Sequence, residues 1–260
     1  MERHACGTMS FSLSLSLSLP LWVLGVVAAV GLFACETVPV TGRQQLILMY
    51  LAEENRLGIT AYEQILKEEG LSRDPQFNAM VNRVGQRIAA GAERTDYAWE
   101  FRVIDKDVAN AFALPGGKVA VYTGILQYTP TDAALAVVMG HEVAHALARH
   151  GSERMSRSMV VQLGLAAVQI GLGTSDPAIV QGIGLAYGLG VELPFDRGQE
   201  AEADHIWLTL MAKAGYDPRE AIPFWQRMEA GQQGQAAGRL CRRHDIGRDM
   251  GYTRGHTMEG

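Results

Sequence analysis

His141-Glu142-Val143-Ala144-His145, set inside the run from Thr131 to Arg149 (TDAALAVVMGHEVAHALAR), decides how the rest of this chain is read. Ala133, Leu135, Val137, Val138, Val143 and Leu147 make an apolar face at helical spacing, with Thr131 or Asp132 as N-cap. On a helix, positions i and i+4 share a face, so the imidazoles of His141 and His145 can reach one ion. Glu142 lies about 100° around from His141 and can reach a water held by that ion.

A catalytic zinc takes three protein ligands and keeps one open position. The metzincin pattern would put Gly at 148 and His at 151; the chain has Ala148 and Gly151, which excludes it. His150 reads as a histidine at the C-terminal end of the same helix, where its charge suits the dipole. The better source of a third ligand is Glu200-Ala201-Glu202-Ala203-Asp204. Glu200 and Asp204 are again i and i+4. One carboxylate can bind the metal while the other orients a ligand histidine.

Outward from this pair of helices, the chain reads as helices around one small strand region. Ile47 to Glu69 has helical apolar spacing and ends at Gly70; Asp74-Pro75 opens a second helix to about residue 91. Trp99 to Ile104 and Lys118 to Tyr122 read as strands, with Ala113-Leu114-Pro115-Gly116-Gly117 as a turn between them. Ser158 to Val191 is apolar and glycine-rich. It reads as a buried helical hairpin or as an element that dips into a membrane or covers substrate. Each half, about 14 residues, is short for a bilayer span. A helix from about Gly198 to Ala214 and another ending near Met228 follow.

The ends differ in kind from the middle. No charged residue occurs from Ala5 to Cys35, and Leu21 to Ala34 is a 14-residue apolar run, the length of a signal-peptide core. Leu32-Phe33-Ala34-Cys35 is similar to a bacterial lipobox, which makes residues 1–34 a lipoprotein signal peptide and Cys35 the acylated N-terminus; an uncleaved anchor and a plain signal peptide are the alternatives. Residues 35–46 read as a polar linker, and 47–230 as the folded domain. Residues 231–260 hold seven glycines, five arginines, one leucine, one isoleucine and no valine, and are expected to be a disordered tail.

Composition narrows the function classes. Of 260 residues, 48% are hydrophobic and 20% charged, which excludes disorder throughout. A net charge of −5 argues against a nucleic-acid partner. The three cysteines, Cys6, Cys35 and Cys241, form neither a disulfide scaffold nor a C-x-x-C zinc knuckle.

Together with Glu200-x-x-Ala203-Asp204, the His141–His145 motif resembles the M48 family of zinc metallopeptidases. Pro39-Val40-Thr41-Gly42-Arg43, Asn110 to Gly117 and Leu193-Pro194-Phe195-Asp196-Arg197 share the resemblance, over about residues 35–230. It implies an α+β, mainly helical zincin-like domain with a small sheet beside the active-site helix, binding one Zn²⁺ per chain through His141, His145 and Glu200. It implies Glu142 as general base and Asp204 as holder of a ligand histidine. Lys118, Val119, Ala120, Val121 and Tyr122 would form the edge strand that carries an extended substrate. The lipoprotein-type periplasmic branch of the family implies an endopeptidase for misfolded or misassembled envelope proteins, tied by its lipid to the membrane, in the direction of the outer one. The alternative is a chaperone-like assembly factor that keeps the zinc fold without turnover. The family's Ser-Thr-His-Pro stretch has no match near Gly238–Asp245, so no catalytic role is carried onto residues 231–260.

Overall fold

The computed structural model of the chain describes residues 35–172 and 193–232. The signal-peptide and tail expectations, and the second half of the Ser158–Val191 hairpin, lie outside the described residues. The chain divides into two units, Met1–Cys35 and Glu36–Gly260. The second unit is α+β and mainly helical.

The order of elements is a ribbon of β1 (Cys35–Thr37) and β2 (Gln44–Leu46), helices α1 (Leu51–Glu69) and α2 (Pro75–Ala92), then strands β3 (Glu100–Ile104), β4 (Ala111–Leu114) and β5 (Lys118–Tyr122). After them come α3 (Thr123–Leu126), α4 (Asp132–Leu147), α5 (His150–Leu172), α6 (Leu193–Lys213), a 3-10 turn (Pro218–Glu220) and α7 (Ala221–Gln232). Local chemistry accounts for several boundaries. Gly70 ends α1 at φ 83°. Asp74 caps α2 by accepting from the N–H groups of Gln76 and Phe77, with Pro75 in the first turn where no N–H is needed. Thr131 Oγ1 caps α4 at 3.1 Å from Ala134 N.

The three-stranded sheet has the order β3–β5–β4, so the Lys118–Tyr122 strand is the middle one. It runs parallel to β3 and antiparallel to β4, and all five of its residues are buried. This corrects the expectation that Lys118–Tyr122 is an edge: both of its flanks are already hydrogen-bonded. The edge is β4, whose second half reads from sequence as part of a turn. Alanines at 111 and 113 give β4 little strand propensity, and its pairing with β5 supplies what propensity does not. The turn after β4 needs its glycines, since Gly116 and Gly117 both sit at φ 81°.

α4 is the centre of the core. Leu135, Val137, Met139, Val143 and Ala144 are buried on it, and Ala203, Ile206, Trp207, Leu210 and Met211 of α6 pack in the same cluster. Burying each large apolar side chain contributes about 1.5–3 kcal/mol, so α4 and α6 are fixed side by side by hydrophobic contact before any polar group acts. That packing sets the H-E-x-x-H face against the carboxylates of α6.

Two local differences from expectation bear on the site. The stretch expected as a linker, residues 35–46, is folded: its bend carries Thr41 and Arg43 against α5 and α6. The start of the Ser158–Val191 segment forms the C-terminal half of α5, where Met159, Val160 and Leu163 are exposed rather than buried.

Candidate metal centre

His141 and His145 project from α4 with their Nε2 atoms 2.9 Å apart. Glu200 Oε2, from α6, lies 3.5 Å from each of them. Ligand atoms arranged tetrahedrally at about 2.0–2.2 Å from zinc stand about 3.4 Å from one another. The triangle of two imidazole nitrogens and one carboxylate oxygen therefore fits zinc in both size and donor type, and it forms a metal-competent group among the described residues.

The other nitrogen of each imidazole is also engaged. His141 Nδ1 is 3.2 Å from Asp204 Oδ1, and the same oxygen accepts from Trp207 Nε1 at 3.0 Å. A proton on His141 Nδ1 leaves the Nε2 lone pair for a cation. Burial works against a charge on His141, but hydrogen bonds to Asp204 and Glu200 outweigh it and raise the pKa to about 9. Burial lowers His145 to about 3 against the opposing pull of Glu200, and the nearby His141 pushes it the same way.

His145 Nδ1 meets His150 Nδ1 at 2.8 Å. His150 is not the end of the H-E-x-x-H helix, as the sequence suggests, but the first residue of α5 and fully buried. Arg149, at φ 56°, turns the chain between the two helices and folds the His150 ring back onto His145. A non-glycine residue in that region costs about 1–3 kcal/mol. Arg149 is held there by a buried ion pair, its Nε 2.6 Å from Glu54 Oε2, and by contacts to Glu36 and the Met49 carbonyl. His150 in turn places Nε2 3.0 Å from Glu202 Oε2.

The triangle opens into a cleft of about 340 Å³ lined by Glu142, Asn110 to Pro115, Arg154 and Glu54. Half-buried Glu142 stands in this lining beside both histidines. β4 forms one wall. Tyr122 N donates to Asn110 O at 3.0 Å, and the register pairs Ala111 with Val121. In an antiparallel ladder hydrogen-bonded pairs alternate, so Phe112 and Leu114 turn their backbone groups to β5 while Ala111 and Ala113 turn theirs to the open edge. The structure thus brings His141, Glu142, His145, Glu200 and Asp204 together. It sets β5 behind β4 rather than at the cleft. Sequence reasoning missed His150, Glu202 and β4. His145 and His150 are five positions apart, a spacing that an α-helix would turn about 140° away from each other, and the turn at Arg149 brings them face to face.

Comparison with known proteins agrees with this geometry. The chain is 36% identical over 226 residues to the mitochondrial metalloendopeptidase OMA1 of Schizosaccharomyces pombe, covering 83% of this chain and 65% of that one. It is 34% identical over 165 residues to the mitochondrial metalloendopeptidase OMA1 of Arabidopsis thaliana, covering 62% and 32%. With the beta-barrel assembly-enhancing protease of Escherichia coli it shares 25% identity over 217 residues, covering 79% and 43%. The chain thus spans only part of the length of these curated relatives. The profile of peptidase family M48 matches residues 75–256, running past Ala230 into the glycine- and arginine-rich C-terminal stretch. With that match across most of its length and the two-histidine, one-glutamate triangle at its centre, the chain belongs to peptidase family M48.

Proposed function

We propose that this protein is a zinc-dependent endopeptidase that hydrolyses peptide bonds of misfolded or misassembled cell-envelope proteins, anchored to a membrane by acylation of Cys35. The observation that carries the reading is the triangle of His141 Nε2, His145 Nε2 and Glu200 Oε2 at 2.9–3.5 Å. When bound, zinc supplies a Lewis acid that activates water and polarises a carbonyl.

The chain's own residues do the rest. Glu142 takes the proton from the attacking water and delivers it to the leaving amine as the C–N bond breaks and a C–O bond forms. Ala111 and Ala113 offer backbone N–H and C=O groups to an extended peptide, which selects unfolded segments over folded ones. The lipobox-like Leu32–Cys35 supports the envelope part of the reading, and the name of the Escherichia coli relative, a beta-barrel assembly-enhancing protease, supports a role on misassembled proteins. No helix among the described residues is long and apolar enough to cross a membrane.

The test measures zinc content and casein cleavage for the wild type, Glu142→Gln and His145→Ala. Wild type should hold about one zinc and cleave. Glu142→Gln should keep zinc and lose about 10²–10⁴-fold in rate, while His145→Ala should lose the metal. Zinc without cleavage in the wild type would leave an assembly factor on a zinc fold instead.

A further inference from the structure

Between the metal centre and the N-terminal ribbon runs a continuous line of buried and half-buried polar contacts that the peptidase reading does not use. His145 Nδ1 meets His150 Nδ1, and His150 Nε2 meets Glu202 Oε2. Glu202 then accepts from Thr41 Oγ1 through Oε1 and from Arg43 Nε, at 2.7 Å, through Oε2. Arg43 also grips both oxygens of Glu153 on α5, at 2.9 and 2.7 Å. Gln199 Nε2 donates to Glu153 at 3.0 Å, closing the cluster. His150, Glu153, Gln199 and Glu202 are all buried.

The direction of the protons along this line is set by its far end. An ionised carboxylate only accepts, so the Glu202 side requires a proton on His150 Nε2. A neutral His150 then has a bare Nδ1, which accepts from His145. His145 therefore carries its proton on Nδ1 and turns a bare Nε2 toward His141 and Glu200. The opposite order would aim an N–H at the point where the three donors converge.

The geometry points to the N-terminal ribbon as a working part of the metal centre: Thr41 and Arg43, acting through Glu202 and His150, hold the ligand histidine His145 in its metal-binding tautomer. His150 and Glu202 are positioning residues, as are the two ribbon side chains. The inference rests on the reading of His141, His145 and Glu200 as the zinc ligands. It adds that segment 35–46, far from those ligands in sequence, sets the affinity of the site.

Zinc dissociation constants of the full chain, measured by competition with a chromogenic chelator, test it. Loss of an outer partner of a ligand histidine typically weakens metal binding about 10–100-fold. His150→Ala and Arg43→Met should fall in that range. His150→Asn should bind more tightly than His150→Ala, because its side-chain oxygen can stand where Nδ1 accepts. Thr41→Val, nearly isosteric and so safe for folding, should weaken zinc toward the lower end of the range. Equal affinities for His150→Asn and His150→Ala would reduce His150 to a packing role and overturn the proposal. Wild-type affinity in both Arg43→Met and Thr41→Val would overturn the part played by the ribbon. A His145→Ala chain that still holds stoichiometric zinc would instead bring down the ligand assignment, a result distinct from any of these.

Discussion

Glu200 and Glu202, two positions apart on α6, address opposite sides of one histidine. Glu200 Oε2 lies 3.5 Å from His145 Nε2, whereas Glu202 reaches His145 Nδ1 through the buried ring of His150. One helix turn therefore supplies both a candidate metal ligand and the end of the line that orients its neighbour. Asp204, a turn further on, does the corresponding work for His141.

Asp204→Ala removes the acceptor of His141 Nδ1 and also that of Trp207 Nε1. Zinc affinity should fall about 10–100-fold. Leaving the indole N–H of a buried tryptophan without an acceptor should cost about 1–3 kcal/mol as well. Chelator competition reads the first effect and denaturant unfolding of the metal-free protein reads the second. Full zinc affinity in this variant would remove Asp204 from the site.

Proline at 113 should weaken substrate binding while sparing the metal. Ala113 turns its N–H to the open edge of β4, and proline there deletes one donor without cutting a β4–β5 hydrogen bond. Steady-state kinetics on an unfolded substrate should show KM raised several-fold in Ala113→Pro with zinc content unchanged. An unaltered KM would mean that substrate does not pair with β4.

Acid should loosen the contact between ribbon and core. Burial raises the Glu202 carboxyl, but hydrogen bonds from Thr41, His150 and Arg43 outweigh it and hold it below its ordinary value of 4.5. A depressed folded-state pKa gives stability that is fully present above the unfolded value and is lost as pH falls through the folded one. In thermal melts of metal-free protein, the gap between wild type and Glu202→Gln should therefore be constant near neutral pH and shrink below about pH 4.5. A gap that widens in acid would contradict this.

Gly58→Ala should destabilise the fold although alanine is the better helix former. The helical preference is worth about 1 kcal/mol. Against it, a Cβ at Gly58 would stand 2.4 Å from the backbone oxygen of Pro115, in the turn that ends β4. Backbone cannot swing aside as a side chain can, so overpacking should win and leave a net loss of about 1–3 kcal/mol. Urea unfolding measures it, and a stabilised variant would show that the turn yields.

Helix boundaries were legible wherever local chemistry sets them. Gly70 stops α1, Asp74-Pro75 starts α2 and Thr131 starts α4, because caps and backbone preferences act within a few residues. The sharing of a face by His141 and His145 was legible for the same reason, since i and i+4 adjacency is a property of any α-helix. Placing Glu200 beside them took a family resemblance, because Glu200 lies 55 positions beyond His145.

The sequence by itself therefore determined the helix that bears the donors, their common face and the chemistry of their side chains. Tertiary structure alone decided which strand borders the cleft, since β4 becomes a strand only by pairing with β5, and alanines at an edge carry no pattern of their own. It also decided the role of His150. That residue reaches His145 only because Arg149 adopts a left-handed backbone, and Arg149 stays there because Glu54, nearly a hundred residues earlier, pairs with it in the interior. A conformation held by a distant buried charge leaves no trace in the local sequence, whereas a helical period repeats its signal at every turn.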